Sequence, residues 1–450
     1  MIISSKKEKL FLFIGDIFIF VLSLWLSIFL RNGDVPSWVI LKDHIVPFIF
    51  IFISWIVVFF IAGLYDKYTT ILKDSMPEII LNTQIVNSGI AIAFFYLLPY
   101  FGITPKTILF LDLIISFVFV YIWRIYYHSV LGLRRKESAI IIGRGIEMQN
   151  LVKEINGNPR SQLNFILSID LDKEKDNDYI QNVIEQIKIN KINIIVIDLR
   201  DKSIEPILSV LYTQIFNGVR FINMEDIYED VFDRVPLSFL KHDWFLENIS
   251  LRYNFAYIFL KRFFDIVVSI FILFILAIIY PFVAIAIMIE TKNKKILFSQ
   301  KRIGESGKEI KIYKFLTMLI DDEGDENLKK ENRLTSVGKF LRKTRIDELP
   351  QAWNVIKGDL SLVGPRPEMP LFVEIYNKEI PYYSIRHIIR PGLSGWAQIC
   401  QENPPKGGVN FDDTKIKLSY DLYYLKNKSI MLDLNISLKT LKTLLSRKGK

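Results

Sequence analysis

The chain has 450 residues, 51% hydrophobic and 14% aromatic; that length allows about two to four domains, and so much apolar side chain excludes an intrinsically disordered chain. A single cysteine, Cys400, excludes an intramolecular disulfide framework and any multi-cysteine metal site, which fits a reducing compartment. The net charge of +9 is uneven: residues 292–450 hold 30 Lys and Arg against 19 Asp and Glu, the rest 27 against 29. The basic last third therefore calls for anionic partners. With no dense Lys/Arg tract or nucleic-acid motif, phosphate or acidic lipid ranks above DNA or RNA, and no nucleic acid is expected.

Four apolar runs open the chain: Leu10–Leu30 with one charge, Asp16; Ile45–Tyr65 with none; Ile79–Phe101; and Thr107–His128 with Asp112 and Arg124. Each is long enough to cross about 30 Å of hydrocarbon as a helix. The first lacks a small-residue cleavage site and is too long for a signal peptide. These three charges could be functional intramembrane groups; packing between helices or snorkelling near an interface is the plainer expectation. Lys6, Lys7 and Lys9 precede the first run, and Arg134, Arg135 and Lys136 follow the fourth. The positive-inside rule places both ends of this four-helix membrane domain, residues 1–133, in the cytoplasm.

From Glu137 the pattern changes. Ala139–Ile142, Asn164–Ile169, Ile192–Asp198 and Val219–Ile222 read as buried strands, with helices over Met148–Ile155, Asp178–Asn190 and Ile204–Asn217 between them. This alternation predicts an α/β Rossmann-like domain over 134–235 with a parallel sheet. Its first strand-to-helix turn, Gly143-Arg144-Gly145-Ile146-Glu147-Met148, begins like a dinucleotide fingerprint but lacks the third glycine. A scaffolding, dimerisation or regulatory domain that retains the fold is the plainer expectation. A linker over 236–260 follows, amphipathic through Phe239, Trp244 and Phe245.

Phe263–Ile289 is a fifth apolar block with Lys261 and Arg262 before it and Lys292, Lys294 and Lys295 after it. A crossing would carry one cationic cluster and the basic domain outside. Pro281 lacks an N–H and clashes with the preceding turn. The expectation is a re-entrant helix, broken at Pro281, that dips into the inner leaflet; an ordinary kinked span is the alternative.

The basic region beyond it predicts a hairpin over Leu297–Gly304 and Ile310–Phe315, then a cationic amphipathic helix from Thr335. Pro350 suits the first turn of a helix, so Asp347 and Glu348 would sit at a helix start, where free N–H groups and the dipole favour ionised carboxylates. Arg342, Lys343 and Arg345 push the same way. An ionised Asp347 could attack phosphorus, and Glu348 could hold Mg²⁺; on residue types alone the pair also reads as a helix cap with an acidic neighbour. Gly364-Pro365-Arg366-Pro367 clamps a guanidinium between prolines, a geometry suited to phosphate. Arg390-Pro391-Gly392 opens a second rigid loop. Leu432–Leu445 reads as a cationic surface helix.

Several stretches, in order, carry a resemblance: Lys261–Asp265, Phe298–Gly304, Tyr313–Met318, Arg345–Asn354, Lys357–Glu368, Arg390–Gln398 and Tyr420–Asp433. The last third resembles the catalytic domain of bacterial monotopic polyprenyl-phosphate phosphoglycosyl transferases. Four spans and a degenerate nucleotide fold ahead of it resemble the long multidomain branch of that family. The resemblance implies an α+β catalytic domain over 261–450, with re-entrant helix 263–289, on the cytoplasmic face of a bacterial inner membrane. It implies transfer of a sugar-1-phosphate from a UDP-sugar to undecaprenyl phosphate through a phosphosugar–aspartate at Asp347, releasing UMP. The surface glycan so begun would be an exopolysaccharide, a capsule or an O-antigen. Glu348 and Mg²⁺ would assist; Arg302, Lys314, Arg345, Arg366 and Arg390 are the candidate substrate-binding cations; a homodimer is compatible.

Two positions depart from the family's pattern. Leu316 stands where a basic residue is usual in Lys314-Phe315-Leu316-Thr317-Met318, and Tyr280 precedes Pro281 where serine is frequent. Two other functions fit parts of the chain. A membrane nucleotide-sugar dehydratase or epimerase needs an intact glycine fingerprint and a Tyr-x-x-x-Lys in one domain; Tyr424 and Lys428 have the spacing but lie far from residues 143–148. An inactive scaffold for glycan assembly is the other. No residue in 401–414, the candidate specificity loop, encodes a particular sugar.

Overall fold

The computed structural model describes residues 5–65, 76–97, 106–131, 136–158, 161, 163–172, 179–190, 192–201, 204–249, 255–291, 295–318, 334–401 and 408–445. The chain divides into two compact units, Met1–Val231 and Phe232–Lys450. Among the described residues, five helices are long and apolar enough to cross a membrane, as a membrane-associated protein requires.

The first unit begins with helices α1 (Ser5–Asn32), α2 (Trp38–Ala62), α3 (Met76–Leu97) and α4 (Lys106–Leu131). They share an aromatic core in which Phe20, Phe48, Trp55 and Phe59 are fully buried. Three of the bundle's charges, Asp16, Asp112 and Arg124, are spent between helices. Arg124 pairs with Asp16, which also accepts a hydrogen bond from Tyr65 (2.6 Å), and Arg124 donates to Leu64 O (2.9 Å). Asp112 accepts from Ser23 at 2.5 Å. This is helix packing rather than snorkelling. Of the flanking cations, Arg134 and Arg135 lie outside the described residues.

The same unit holds a parallel sheet of β1 (Glu137–Gly143), β2 (Leu163–Asp170), β3 (Ile194–Ile197) and β4 (Arg220–Asn223), ordered β2-β1-β3-β4. Helices α5 (Gly145–Gly157), α6 (Tyr179–Ile189) and α7 (Glu205–Leu211) are its crossovers, and α8 (Met224–Phe232) follows β4. Continuous apolar runs in β1 and β3 are buried on both faces, as a parallel sheet covered by helices demands. A Cβ on Gly143 would meet Met224 Cε at 3.0 Å, and Arg144 is held by Asp201 (2.7 Å) and Asp172 (3.4 Å).

In the second unit the expected linker is folded in. Val235, Leu240 and Trp244, the last on α9 (His242–Asn248), share a core with Val373, Tyr376 and Leu418. The apolar block lies within α10 (Phe255–Thr291), whose 37 residues remain helical through Pro281. The break expected there is therefore not a break in secondary structure. The apolar length on both sides sustains the helix against the local cost of one missing N–H. The long middle of α10 exposes Phe271, Phe274, Ile278 and Phe282, while Val283 and Ile287 are buried with Phe315 and Leu341.

After α10 come the hairpin strands β5 (Leu297–Ile303) and β6 (Glu309–Phe315), paired antiparallel. Then follow α11 (Ser336–Thr344), a 3₁₀ turn (Ile346–Glu348), α12 (Gln351–Lys357), β7 (Ser361–Val363), α13 (Pro370–Glu379), β8 (Gly392–Ser394), α14 (Trp396–Cys400), α15 (Phe411–Asn427) and α16 (Ile430–Leu445). Thr335 caps α11 by accepting from the Gly338 N–H at 2.8 Å. The usually basic position, Leu316, is buried against Val283, Ile287 and Leu341, so an apolar side chain suits this site.

Candidate active site

Asp347 and Glu348 lie in the 3₁₀ turn between α11 and α12, not at the start of a helix proper. Arg345, in the left-handed region (φ 58°), ends α11, and Pro350 caps α12. The sharp turn this allows buries the Asp347 side chain, only 7% exposed. Its Oδ1 has no hydrogen-bond partner among the described residues. Burial first, then neighbouring Glu348, pushes the Asp347 carboxyl up, against Lys314, Arg342 and Arg345. This reverses the expectation from a helix start. Desolvation depends on tertiary packing, and it outweighs the cations that the local sequence displays.

Glu348 behaves in the opposite way. Its Oε1 accepts from Lys314 Nζ (3.1 Å) and Arg366 Nη2 (3.0 Å), and Arg345 lies 3.5 Å from Oε2. Burial alone would raise this carboxyl, but Arg366, Lys314 and Arg345 hold it well below the usual range. β6 supplies Lys314, the loop after β7 supplies Arg366, and the turn itself supplies Arg345. Three separate elements thus converge on one carboxylate beside a second that is buried and whose Oδ1 has no hydrogen-bond partner among the described residues.

The Arg366 loop is fixed by backbone. Gly392 N donates to Pro365 O and Gly364 N to Ser394 O, both at 2.9 Å. A Cβ on Gly392 would lie 2.1 Å from Gly364 N, so only glycine lets the two loops cross. Beneath them Arg386, 2% exposed, donates to Asp421 (2.9 Å), Tyr383 OH (3.0 Å) and the carbonyl of Arg366 (2.9 Å). Lys417 pairs with Glu368, and Arg302 lies 4.0 Å from Glu368 and donates to Gln300 (2.6 Å). Despite burial, Lys417, Arg386 and Arg302 hold Glu368 down to about 2. Burial lowers Arg302 to about 10, with Glu368 opposing.

Four of the five predicted cations, Lys314, Arg345, Arg366 and Arg302, thus meet around the dyad or beside its loop. Arg390 does not: it donates to Glu305 at 3.0 Å, in the hairpin turn. Sequence reasoning missed Arg386, Lys417 and Asp421, which pair only through space. It also missed Asn354, fully buried, which binds Lys311 O (2.7 Å) and Tyr313 N (3.2 Å) and so ties α12 to the strand of Lys314. Part of the candidate specificity loop, residues 402–407, lies outside the described residues. Tyr424 is committed to Asp433 (2.7 Å) and Lys261 (3.1 Å), which removes the dehydratase-like pairing.

Among the described residues no group of three His, Cys, Asp or Glu could hold a metal. Mg²⁺ is commonly bound by one or two carboxylates together with substrate phosphates and water. Glu348 Oε2, 3.5 Å from Arg345, is the dyad oxygen that fits that mode.

The family model for bacterial sugar transferases matches residues 256–447. A UDP-N-acetylgalactosamine–undecaprenyl-phosphate N-acetylgalactosaminephosphotransferase of Aeromonas hydrophila is 42% identical over 230 residues, 50% of this chain and 52% of that protein. A UDP-glucose:undecaprenyl-phosphate glucose-1-phosphate transferase of Klebsiella pneumoniae is 41% identical over 180 residues, 39% and 38% of the two chains. The chain thus spans about half the length of the first relative and less of the second. An uncharacterized sugar transferase of Bacillus subtilis is 39% identical over 191 residues, 42% of this chain and 89% of that protein. A short relative matched over 89% of its length, together with a family model that covers the segment building the dyad and its cations, makes this chain a member of the bacterial sugar transferase family.

Proposed function

We propose that the protein transfers a sugar-1-phosphate from a UDP-sugar to undecaprenyl phosphate, the first membrane step of an exopolysaccharide or related surface glycan. The observation that carries this reading is Asp347: a buried carboxylate with one oxygen unpartnered among the described residues, beside a Glu348 neutralised by Lys314, Arg366 and Arg345. Glu348 absorbs cationic charge from three elements, so a diphosphate entering here meets preorganised guanidinium and ammonium groups.

A carboxylate oxygen of Asp347 attacks the sugar-bearing β-phosphorus; the bond from that phosphorus to the bridging oxygen breaks, and UMP departs with that oxygen. A phosphate oxygen of undecaprenyl phosphate then attacks the same phosphorus and restores the Asp347 carboxylate. One anhydride replaces another, so the protein supplies position and charge neutralisation rather than driving force. Arg366 and Lys314 would hold the diphosphate, and Arg302, beside the Arg366 loop, would add charge. Mg²⁺ held by Glu348 would neutralise phosphate oxygens.

The acceptor is lipid-borne, and we read α10 as re-entrant. Near its start Arg262 bonds to α12, and at its end Glu290 bonds to α11. These partners belong to one short stretch, 336–357, whose charges, Lys339, Arg342, Lys343, Arg345, Asp347 and Glu348, make it unsuited to crossing a bilayer and so support placing both ends of α10 on one face. The catalytic unit then lies on the face where UDP-sugars are made, the cytoplasmic side of the inner membrane. The decisive experiment is UMP release from UDP-sugars by purified wild type and by Asp347→Asn. Release by wild type and its loss in the variant support the reading; equal release by both removes it.

A further inference from the structure

Two of the charged groups of α10, neither used in the chemistry above, reach the helices that flank the dyad turn. Near its start, Arg262 donates Nη1 to Val355 O and Nη2 to Ile356 O, both at 2.7 Å. These are among the last carbonyls of α12, at the negative end of that helix. At the far end of α10, Glu290 accepts from the backbone N–H groups of Ser336 (2.6 Å) and Val337 (2.8 Å). These are the first N–H groups of α11, at its positive end. α11 and α12 are the helices on either side of the Ile346–Glu348 turn. The dyad turn is therefore slung between two helices, each gripped at its outer end by a charge of complementary sign on the same apolar helix.

We propose that Arg262 and Glu290 are positioning residues that register Asp347 against α10, and so against an acceptor phosphate anchored in the membrane. The proposal rests on the two-step reaction given above. The first step needs a water-soluble donor and groups on β6, the dyad turn and the Arg366 loop, none of them on α10. Those groups hold one another through the Glu348 ion pairs whether or not the outer ends of α11 and α12 are gripped. The second step joins Asp347 to a phosphate whose place is set by the membrane and by α10. A displacement of about 1 Å between them costs on the order of 10²-fold in rate.

The test uses the full-length protein with Arg262→Ala, Arg262→Lys, Glu290→Ala and Glu290→Gln, reconstituted with undecaprenyl phosphate or without it. The donor is whichever of UDP-glucose, UDP-galactose and UDP-N-acetylgalactosamine wild type accepts. Without lipid, exchange of labelled UMP into the UDP-sugar reads the first step; with lipid, product formation reads both. The alanine variants are expected to keep exchange within about twofold and to lose about tenfold or more of lipid transfer. Glu290→Gln, whose amide oxygen still accepts one N–H, and Arg262→Lys, which keeps a cation at the end of α12, are expected to fall between. They also carry the test should an alanine variant fail to fold. Equal losses in both assays, or no loss in either, overturn the proposal. Wild type that makes product without any exchange counts against the covalent step instead. In that case a fall in lipid transfer at unchanged KM for the UDP-sugar still supports the clamp, and a raised donor KM overturns it.

Discussion

Replacing Asp347 by asparagine should separate activity from stability. The carboxyl is buried and pushed up by burial and by Glu348, so the folded state disfavours its charge. For an acid raised above its unfolded value, folding stability falls as pH climbs from the unfolded value through the folded one. At neutral pH the ionised side chain is therefore a net cost, and each unit of upward displacement is worth about 1.4 kcal/mol. An isosteric amide removes that cost. Asp347→Asn should unfold later than wild type, by roughly 2–4 °C per kcal/mol gained in a unit of this size, while UMP release falls by more than about 10³-fold. Thermal unfolding by intrinsic fluorescence and nucleotide release on the same preparations test this pair. A variant that is inactive and also less stable would show that Asp347 contributes to packing, and the reasoning from burial would be wrong.

Further outcomes follow from particular contacts. UMP release should decline as pH falls through the raised Asp347 carboxyl, with its acid limb above that of an ordinary aspartate; a limb at the ordinary position would count against a buried nucleophile. Arg366→Lys keeps a charge but loses the fork, and should raise KM for the UDP-sugar by about tenfold, as steady-state kinetics would show. Asn354→Ala leaves Lys311 O and the Tyr313 N–H unpaired inside the protein, at about 2–4 kcal/mol, read as a lower unfolding midpoint with activity retained at low temperature. Arg124→Ala strands Asp16 in the helical bundle and should cost about 3–5 kcal/mol; adding Asp16→Asn should recover part of it in thermal unfolding.

Much of the fold was legible because its signals are local. Runs such as Ile140–Ile142 and Ile194–Ile197 can be satisfied only by strands covered on both faces, and they form β1 and β3. The dyad and the Pro-Arg-Pro loop were legible as short motifs whose residue types already suggest phosphate chemistry. What failed was set by tertiary packing. The direction of the Asp347 shift depends on burial, which no neighbour in sequence reports. Lys261 and Arg262 read as cations flanking a membrane segment, yet they are spent on Asp433 and on the carbonyls of α12. Arg386 and Asp421 stand thirty-five positions apart and Arg386 lies outside the stretches that carry the resemblance, so only the folded chain reveals their pairing beneath Arg366. Pro281 signals a break by its chemistry, but the apolar helix around it continues.

The most direct measurement is peptide mass mapping of full-length protein quenched during turnover with a UDP-sugar and no lipid acceptor. The account predicts a sugar-phosphate mass increment on the peptide containing Asp347, lost on adding undecaprenyl phosphate as lipid-linked product appears. Product formation with no increment on that peptide, or with one on another residue, would contradict it.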